Sequence, residues 1–171
     1  MQYKAAITVL AIIAAAALID FAYSERGRDS YSQGQANLAA DKTDLAITYF
    51  SRALRKNPTD FAARLGLGQA YQKKGWADEA LKQYEQAVQN GTVGLQAAHY
   101  NLGLALLEKG QPEAAFTQFK KSIELDPRNQ AAHFNAGLTA EKLGRRTEAR
   151  QFYQAALRID PNFAPARKRL N

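Results

Sequence analysis

The sequence predicts an all-α protein, with one hydrophobic N-terminal helix followed by four repeats of a helix–turn–helix unit. Three observations support this prediction. Residues 5–19 form an apolar run that only Thr8 interrupts. Downstream, several series of residues recur at the same spacings of 34, 35 and 34 positions. Inside each repeat, apolar and small residues return every three or four positions, which is the period of an α-helix.

The composition of the 171-residue chain is that of an ordinary globular protein, with 46% hydrophobic and 23% charged residues. Disorder throughout the chain is therefore excluded. The chain has no cysteine, which excludes disulfides, thiolate zinc sites and cysteine nucleophiles. Its net charge of +7 is spread thinly over the repeats and concentrates near the C-terminal end.

The N-terminal apolar run is long enough to anchor the chain in a membrane when it is extended to residue 23. As a helix, residues 5–23 would reach about 28 Å, close to a bilayer core of about 30 Å. Tyr3 and Tyr23 would then lie at the two interfaces, where amphipathic rings are favoured. We therefore assign residues 1–24 as a transmembrane anchor or a signal peptide, with membrane contact through residues 5–23.

The signal-peptide alternative stays open because Lys4 supplies a charged start and small residues stand at suitable cleavage offsets in 15–17 and 22–24. A buried helix is a third interpretation. For an anchored protein, the short N-terminal tail favours a repeat domain on the periplasmic side, whereas the count of Lys and Arg slightly favours the cytoplasmic side. We expect a single-pass membrane protein with a periplasmic domain. A soluble periplasmic protein and a cytoplasm-facing domain are the alternatives.

Each repeat carries a glycine in its first helix, then an alanine in its second helix and an aromatic residue four positions later. The three series are Gly34, Gly68, Gly103, Gly137; Ala46, Ala80, Ala115, Ala149; and Phe50, Tyr84, Phe119, Tyr153. A glycine also falls between the two helices of three units, at Gly75, Gly110 and Gly144. A residue with left-handed backbone conformation is common at the end of a helix, and glycine adopts it readily. Asp41 takes this place in the first unit. Pro112 suits the first turn of a second helix.

This pattern resembles the tetratricopeptide repeat, whose signature of about 34 residues runs Leu-Gly, then Ala-x3-Phe, then Pro. The third unit carries it as Leu102–Gly103, Ala115, Phe119 and Pro127. We place the units at 27–60, 61–95, 96–129 and 130–163, within a repeat region of residues 25–163. The resemblance implies a short right-handed superhelical solenoid with a concave and a convex surface, in which stacked units bury their apolar faces.

No catalytic constellation follows from the sequence. His99 and His133 stand 34 positions apart, and such a pair could suggest a metal site. No Asp or Cys completes one, and each histidine occupies a position where the family signature has Trp. No residues assemble a nucleophile, a base and an orienting partner. We expect no metal, no cofactor and no enzymatic activity.

The resemblance also implies a binding surface, because the first helices of this family line the concave groove and commonly hold a segment of another protein. The corresponding positions here are neutral and, in the third and fourth units, apolar. They are Tyr31, Leu38, Leu65, Gln69, Tyr100, Leu104, Leu107, Phe134 and Leu138. Such a groove suits an amphipathic helix or an extended apolar segment.

Alternatives for this groove stay open. Some family members clamp a C-terminal carboxylate with cationic or polar donors, which Tyr31 and Leu65 do not supply. Tyr100 and Phe134 could instead pack against the preceding repeat. The chain's own N-terminal helix or a neighbouring copy could also fill the groove.

The last residues, 164–171, predict a short basic segment that caps the final repeat. The basic residues near this end are Arg145, Arg146, Arg167, Lys168 and Arg169. Contact with anionic lipid, an acidic protein or nucleic acid is one interpretation, and a solvated end is another. No aromatic residues interleave with the basic ones, so we expect no nucleic-acid partner. An incompletely covered apolar surface leaves association between copies open.

These patterns together predict a non-catalytic adaptor that recruits a protein segment, is held at a membrane and assists assembly of a membrane or envelope complex. A structural accessory subunit of a membrane complex is one alternative. A secreted periplasmic binding module, formed by cleavage of the N-terminal segment, is another.

Overall fold

The computed structural model describes residues 29–91 and 93–170, and all regular structure in these ranges is helical. The predicted anchor, residues 1–24, lies outside the described residues. Nowhere in 29–91 or 93–170 is there a helix with the length and apolar character needed to cross a membrane. The helices in these ranges are α1 (29–39), α2 (Thr43–Lys56), α3 (Phe61–Lys74), α4 (Ala77–Asn90), α5 (Leu95–Glu108), α6 (Pro112–Leu125), α7 (Gln130–Lys142), α8 (Arg146–Ile159) and α9 (Ala164–Leu170).

The chain divides into two compact units, Met1–Leu67 and Gly68–Asn171. The first unit contains α1, α2 and the beginning of α3. Its core is built around Phe50 on α2, which is fully buried. The ring fills the space left by Gly34 on α1 and Gly66 on α3, where an added Cβ would lie 2.7 Å and 2.5 Å from ring carbons.

The second unit contains the rest of α3 and helices α4 to α9. In it α5 packs against α6 and α7 against α8, so each pair forms a helical hairpin. Successive hairpins join through contacts of α4 with α5 and of α6 with α7, and α9 packs against α8. The expected repetition of one hairpin, stacked on its neighbours, is therefore confirmed within this unit.

Each hairpin of the second unit closes where a buried aromatic ring meets a glycine. Phe119 on α6 is fully buried, and a Cβ on Gly103 of α5 would lie 2.7 Å from its ring. In the next hairpin a Cβ on Gly137 would lie 2.5 Å from the ring of Tyr153. Real Cβ atoms do not approach ring carbons so closely, so the glycine is what lets the two helices come together.

The turns between the two helices of a hairpin use a left-handed residue. Gly75, Gly110 and Gly144 have φ angles of +80°, +72° and +74°. Asp41 adopts the same conformation, with φ +62°, so the first unit keeps this turn without the glycine. Aspartate visits this region more readily than most residues, although at a cost that glycine does not carry.

Two helix starts show how local residues satisfy the first turn. Pro112 stands at the first position of α6, where its missing N–H group leaves no unsatisfied bond. The Asn129 side chain caps α7 by accepting a hydrogen bond from the Ala132 N–H at 3.0 Å. Such a cap satisfies one of the N–H groups that the first turn of a helix leaves without a partner.

Two glycine substitutions should separate steric from conformational roles. Gly103→Ala should lower the free energy of unfolding by about 1–3 kcal/mol, because the new methyl group meets the Phe119 ring. Helix propensity alone predicts the opposite sign, a gain of about 0.5–1 kcal/mol. Urea unfolding of the full chain measures the difference.

Gly110→Ala is the matched comparison. A Cβ at this turn would contact nothing within 4 Å, so the expected loss of about 1–2 kcal/mol comes from the positive φ alone. Phe119→Leu should partly rescue Gly103→Ala and leave the Gly110→Ala penalty unchanged. Equal effects of Phe119→Leu on both variants would contradict the steric account.

Candidate functional site

Six of the nine predicted groove residues belong to the second unit. They are Gln69 on α3, Tyr100, Leu104 and Leu107 on α5, and Phe134 and Leu138 on α7. Gln69 is exposed, and the five others are half-buried. We call those five residues of α5 and α7 the α5–α7 face. The two helices are linked across the face, because the Asn135 side-chain amide donates a hydrogen bond to the Tyr100 hydroxyl at 3.0 Å.

The remaining three groove residues belong to the first unit, and all three are half-buried. Tyr31 and Leu38 lie on α1, and Leu65 lies on α3. The Tyr31 ring packs against Phe50 with 5.9 Å between ring centroids.

The aromatic residues of the α5–α7 face have a packing role. The Tyr100 ring lies 5.9 Å from Phe119, and the Phe134 ring lies 5.7 Å from Tyr153, so each contacts the second helix of its own hairpin. Phe134 also meets Phe163 edge-on at 5.4 Å. These contacts differ from packing on the preceding repeat, which was the open alternative. They account for part of the burial of both rings.

A polar network that the sequence analysis did not predict lies near one end of the α5–α7 face. The Tyr84 hydroxyl donates to the Gln72 Oε1 atom at 3.1 Å, and the Gln72 Nε2 group donates to Glu108 at 2.6 Å. At the equivalent place in the last hairpin, Glu141 lies near Tyr153 and accepts a hydrogen bond from Arg169 at 3.1 Å.

A simple sequence rule could have found this network. A residue of the first helix stands 12 positions before the buried aromatic residue of the second helix. The first-helix residue is polar when the buried aromatic residue is Tyr, and it is leucine when the buried aromatic residue is Phe. The four pairs are Gln72 with Tyr84, Glu141 with Tyr153, Leu107 with Phe119, and Leu38 with Phe50.

The buried tyrosines ionise with difficulty. Burial raises the pKa of Tyr84 well above its usual value, and the negative charge of Glu108 raises it further. Burial likewise raises the pKa of Tyr153, with Glu141 adding to the effect. Burial also raises the pKa of Tyr100, although the hydrogen bond with Asn135 opposes it. Each hydroxyl therefore stays neutral at any physiological pH.

The basic residues near the C-terminal end point to different parts of the fold. Arg145 is in the turn just before α8, and its guanidinium is 5.2 Å from the centre of the Phe116 ring on α6. Arg169 in α9 bonds Glu141 on α7, and the Arg167 guanidinium donates to the Pro161 carbonyl. Arg146 and Lys168 are exposed.

A recess of about 320 Å³ lies on the second-helix side of the second unit, and the sequence reading did not anticipate it. We call it the α6 cleft. Its lining consists of Phe116, Thr117, Lys120, Lys121, Glu124 and Arg145. Five of these residues come from α6, and one comes from the turn before α8.

Each of the two histidines has a polar partner at hydrogen-bond distance. The His99 Nδ1 atom lies 2.8 Å from the Gln118 Oε1 atom on α6. The His133 Nε2–H group donates to the Pro127 carbonyl at 3.0 Å. Over 29–91 and 93–170, no three His, Cys, Asp or Glu side chains come together in a way that could hold a metal ion.

Comparison with known families gives one match that spans most of the chain. The family model described as "Tetratricopeptide repeat" matches residues 31–94, 69–129 and 100–162. A curated yeast protein from Saccharomyces cerevisiae, small glutamine-rich tetratricopeptide repeat-containing protein 2, is 26% identical over 110 residues. The matched region covers 61% of this chain and 30% of the yeast protein.

Solved structures share the fold at low identity. A crystal structure of MamA superposes with a TM-score of 0.77 at 23% identity, covering 86% of this chain and 80% of MamA. The structure of Pseudomonas aeruginosa pilF superposes with a TM-score of 0.79 at 19% identity, covering 87% of this chain and 68% of pilF. YrrB, described as a TPR protein with an unusual peptide-binding site, gives 0.69 at 24% identity, covering 80% and 70%.

The buried tyrosines predict a loss of stability in alkali. Above pH of about 10 the unfolded chain releases its tyrosine protons while the folded chain keeps them. The unfolded state then binds fewer protons, so the free energy of unfolding falls by about 1.4 kcal/mol per pH unit for each such tyrosine. Below this range the tyrosines contribute no slope.

Urea unfolding between pH 7 and alkaline pH measures this slope in the parent and in Tyr84→Phe/Tyr153→Phe. The double variant should lose stability with pH less steeply above pH of about 10, by about 1.4 kcal/mol per pH unit for each tyrosine removed. At lower pH both proteins should have the same slope. Equal slopes in alkali would contradict the prediction.

Proposed function

Because this chain belongs to the tetratricopeptide repeat family, whose members are in general protein-interaction modules, we propose that it is a non-catalytic binding protein whose α5–α7 face holds an apolar or amphipathic segment of a partner. The observation that carries the proposal is the row of half-buried apolar side chains along two linked first helices. Folding leaves part of their apolar surface accessible, and a partner segment would bury it.

The chemistry of the α5–α7 face favours an uncharged ligand surface. Leu104, Leu107 and Leu138 carry no polar group, so the driving force is burial of apolar area at about 25 cal/mol per Å². An amphipathic helix places side chains at spacings of three and four, which match such a row. A free C-terminal carboxylate would find no cation on this face.

Two carboxylates that follow the face residues along α5 and α7 are already engaged. Glu108 receives a hydrogen bond from Gln72, and Glu141 receives one from Arg169. A partner with an apolar centre and polar flanks would match this arrangement, with its polar residues near these two pairs. The peptide-binding character ascribed to YrrB, a structural relative, agrees with binding of a protein segment.

We further propose that residues 5–23 attach the protein to a membrane as a single span, with the repeats on the periplasmic side, and that the binding function assists assembly of a membrane or envelope complex. The length and apolar character of this segment support the attachment. The runner-up functions are an accessory subunit of a membrane complex and a secreted periplasmic binding module.

The groove function is tested by Leu104→Glu/Leu138→Glu in the full chain, with a photo-crosslinking amino acid in place of the exposed Gln69. The parent should crosslink to an apolar or amphipathic segment of another protein, identified by mass spectrometry. The double variant should lose at least about nine tenths of this product, because two carboxylates would have to be buried against apolar groups.

Leu125→Glu is the matched control, since Leu125 is 52% exposed on α6 and outside the α5–α7 face. It should crosslink like the parent. Leu104→Ala/Leu138→Ala provides a milder variant if the glutamates reduce helicity measured by circular dichroism. Crosslinking to residues 5–23 of the chain itself, or a product unchanged in both double variants, would contradict partner binding at this face.

The attachment is tested by the intact mass of the native protein from washed membranes and from the soluble fraction. We expect the full-length mass in the membranes. A mass that begins near residue 18 or residue 25, recovered in the soluble fraction, would contradict the anchor and favour the secreted module.

A further inference from the structure

The α6 cleft has a floor and walls of different chemistry. Phe116 forms the floor, and its side chain is only 5% exposed. The ring is held from below by Phe152 on α8, which it meets edge-on at 5.7 Å between centroids. The rest of the lining is one hydroxyl, one carboxylate and three cationic side chains.

Two of the cations converge on the floor. The Lys120 ammonium lies 5.9 Å from the centre of the Phe116 ring, and the Arg145 guanidinium lies 5.2 Å from it. Both distances are within the range of a cation–π interaction, which holds each cation beside the recess. Two like charges that share one ring repel each other, so an anion between them would relieve that repulsion.

The positive charge of the cleft is poorly compensated. Across the described parts of the chain, no carboxylate lies within 4.0 Å of the Lys120 or Lys121 ammonium. Among the residues that the structure describes, the Arg145 guanidinium has one carboxylate contact, a long one of 3.9 Å with Glu148, which lies outside the lining. Glu124 is the single carboxylate of the lining, so the lining carries three positive charges and one negative charge.

We propose that the α6 cleft binds an acidic segment of a partner protein, whose Asp or Glu carboxylates pair with Lys120, Lys121 and Arg145 around the buried Phe116. The site is separate from the α5–α7 face in its residues and in its chemistry. The protein would thus take an apolar segment on its first helices and an acidic one on its second helices.

The shape and charge of the cleft favour a peptide over other anions. The lining runs along α6 from residue 116 to residue 124, about 12 Å at about 1.5 Å per residue, which is longer than one phosphate group needs. Glu124 at the far end would repel a dianion but can accept a hydrogen bond from a peptide N–H group.

The test selects short random peptides from a display library against the full chain in nanodiscs. We expect enrichment of Asp and Glu, because the lining carries three positive charges and one negative charge. The best peptide should bind Lys120→Gln/Lys121→Gln about tenfold more weakly than the parent, because two ion pairs are lost. Lys120→Arg/Lys121→Arg should retain binding, since the charge is kept.

Lys82→Gln/Lys168→Gln is the matched control, because it removes two lysine charges from exposed positions on α4 and α9, outside the lining. It should bind the peptide within about twofold of the parent, because exposed charges that do not pair with the ligand contribute little. The groove variant Leu104→Glu/Leu138→Glu should bind the acidic peptide as the parent does. A failure of the proposed groove function would therefore not affect the test of the cleft.

Several results would overturn the proposal. Selected peptides without acidic enrichment, or acidic peptides that bind Lys120→Gln/Lys121→Gln as well as the parent, would remove the cleft as their site. Complete displacement by millimolar inorganic phosphate would indicate a small-anion site. If no peptide is selected and the protein binds phosphatidylglycerol vesicles in a way that requires Lys120 and Lys121, the site contacts a membrane instead.

Discussion

The close approach of two helices at a glycine, with an aromatic ring filling the space beside it, is the constraint on which each hairpin depends. Phe119 at Gly103 and Tyr153 at Gly137 show it in the second unit, and Phe50 at Gly34 shows it in the first. The ring must be large to fill the crossing, and the facing residue must have no side chain. This requirement explains why the two residue types recur together with one spacing.

That arrangement also decides where the two proposed binding surfaces lie. Since the ring and the alanines occupy the inside of each hairpin, larger apolar groups such as Leu104 and Leu138 remain partly accessible on the first helices. The second helices keep a charged outer side, where Lys120 and Arg145 lie around a recessed phenylalanine. Two chemically different surfaces therefore follow from one packing scheme.

Much of this architecture could be predicted from the sequence, because the signals lie within one repeat. The turn glycines, Pro112 and the glycine–aromatic pairs are local features with known helical consequences. The α6 cleft could not be predicted, because Arg145 and Lys120 are 25 positions apart and meet only through the stacking of two hairpins. The groove positions were assigned by family resemblance, and the packing of Tyr100 and Phe134 on their own hairpins required coordinates.

The contacts of the second unit have a consequence for how the protein acquires its structure. Its helices pack against their neighbours in the chain, and even the link from Gln72 to Glu108 spans only 36 positions. Chains with such short-range contacts have low contact order and fold quickly. Each hairpin can form as soon as it is available and serve as a template for the next. The unit is therefore suited to folding stepwise while the rest of the chain is still being synthesised.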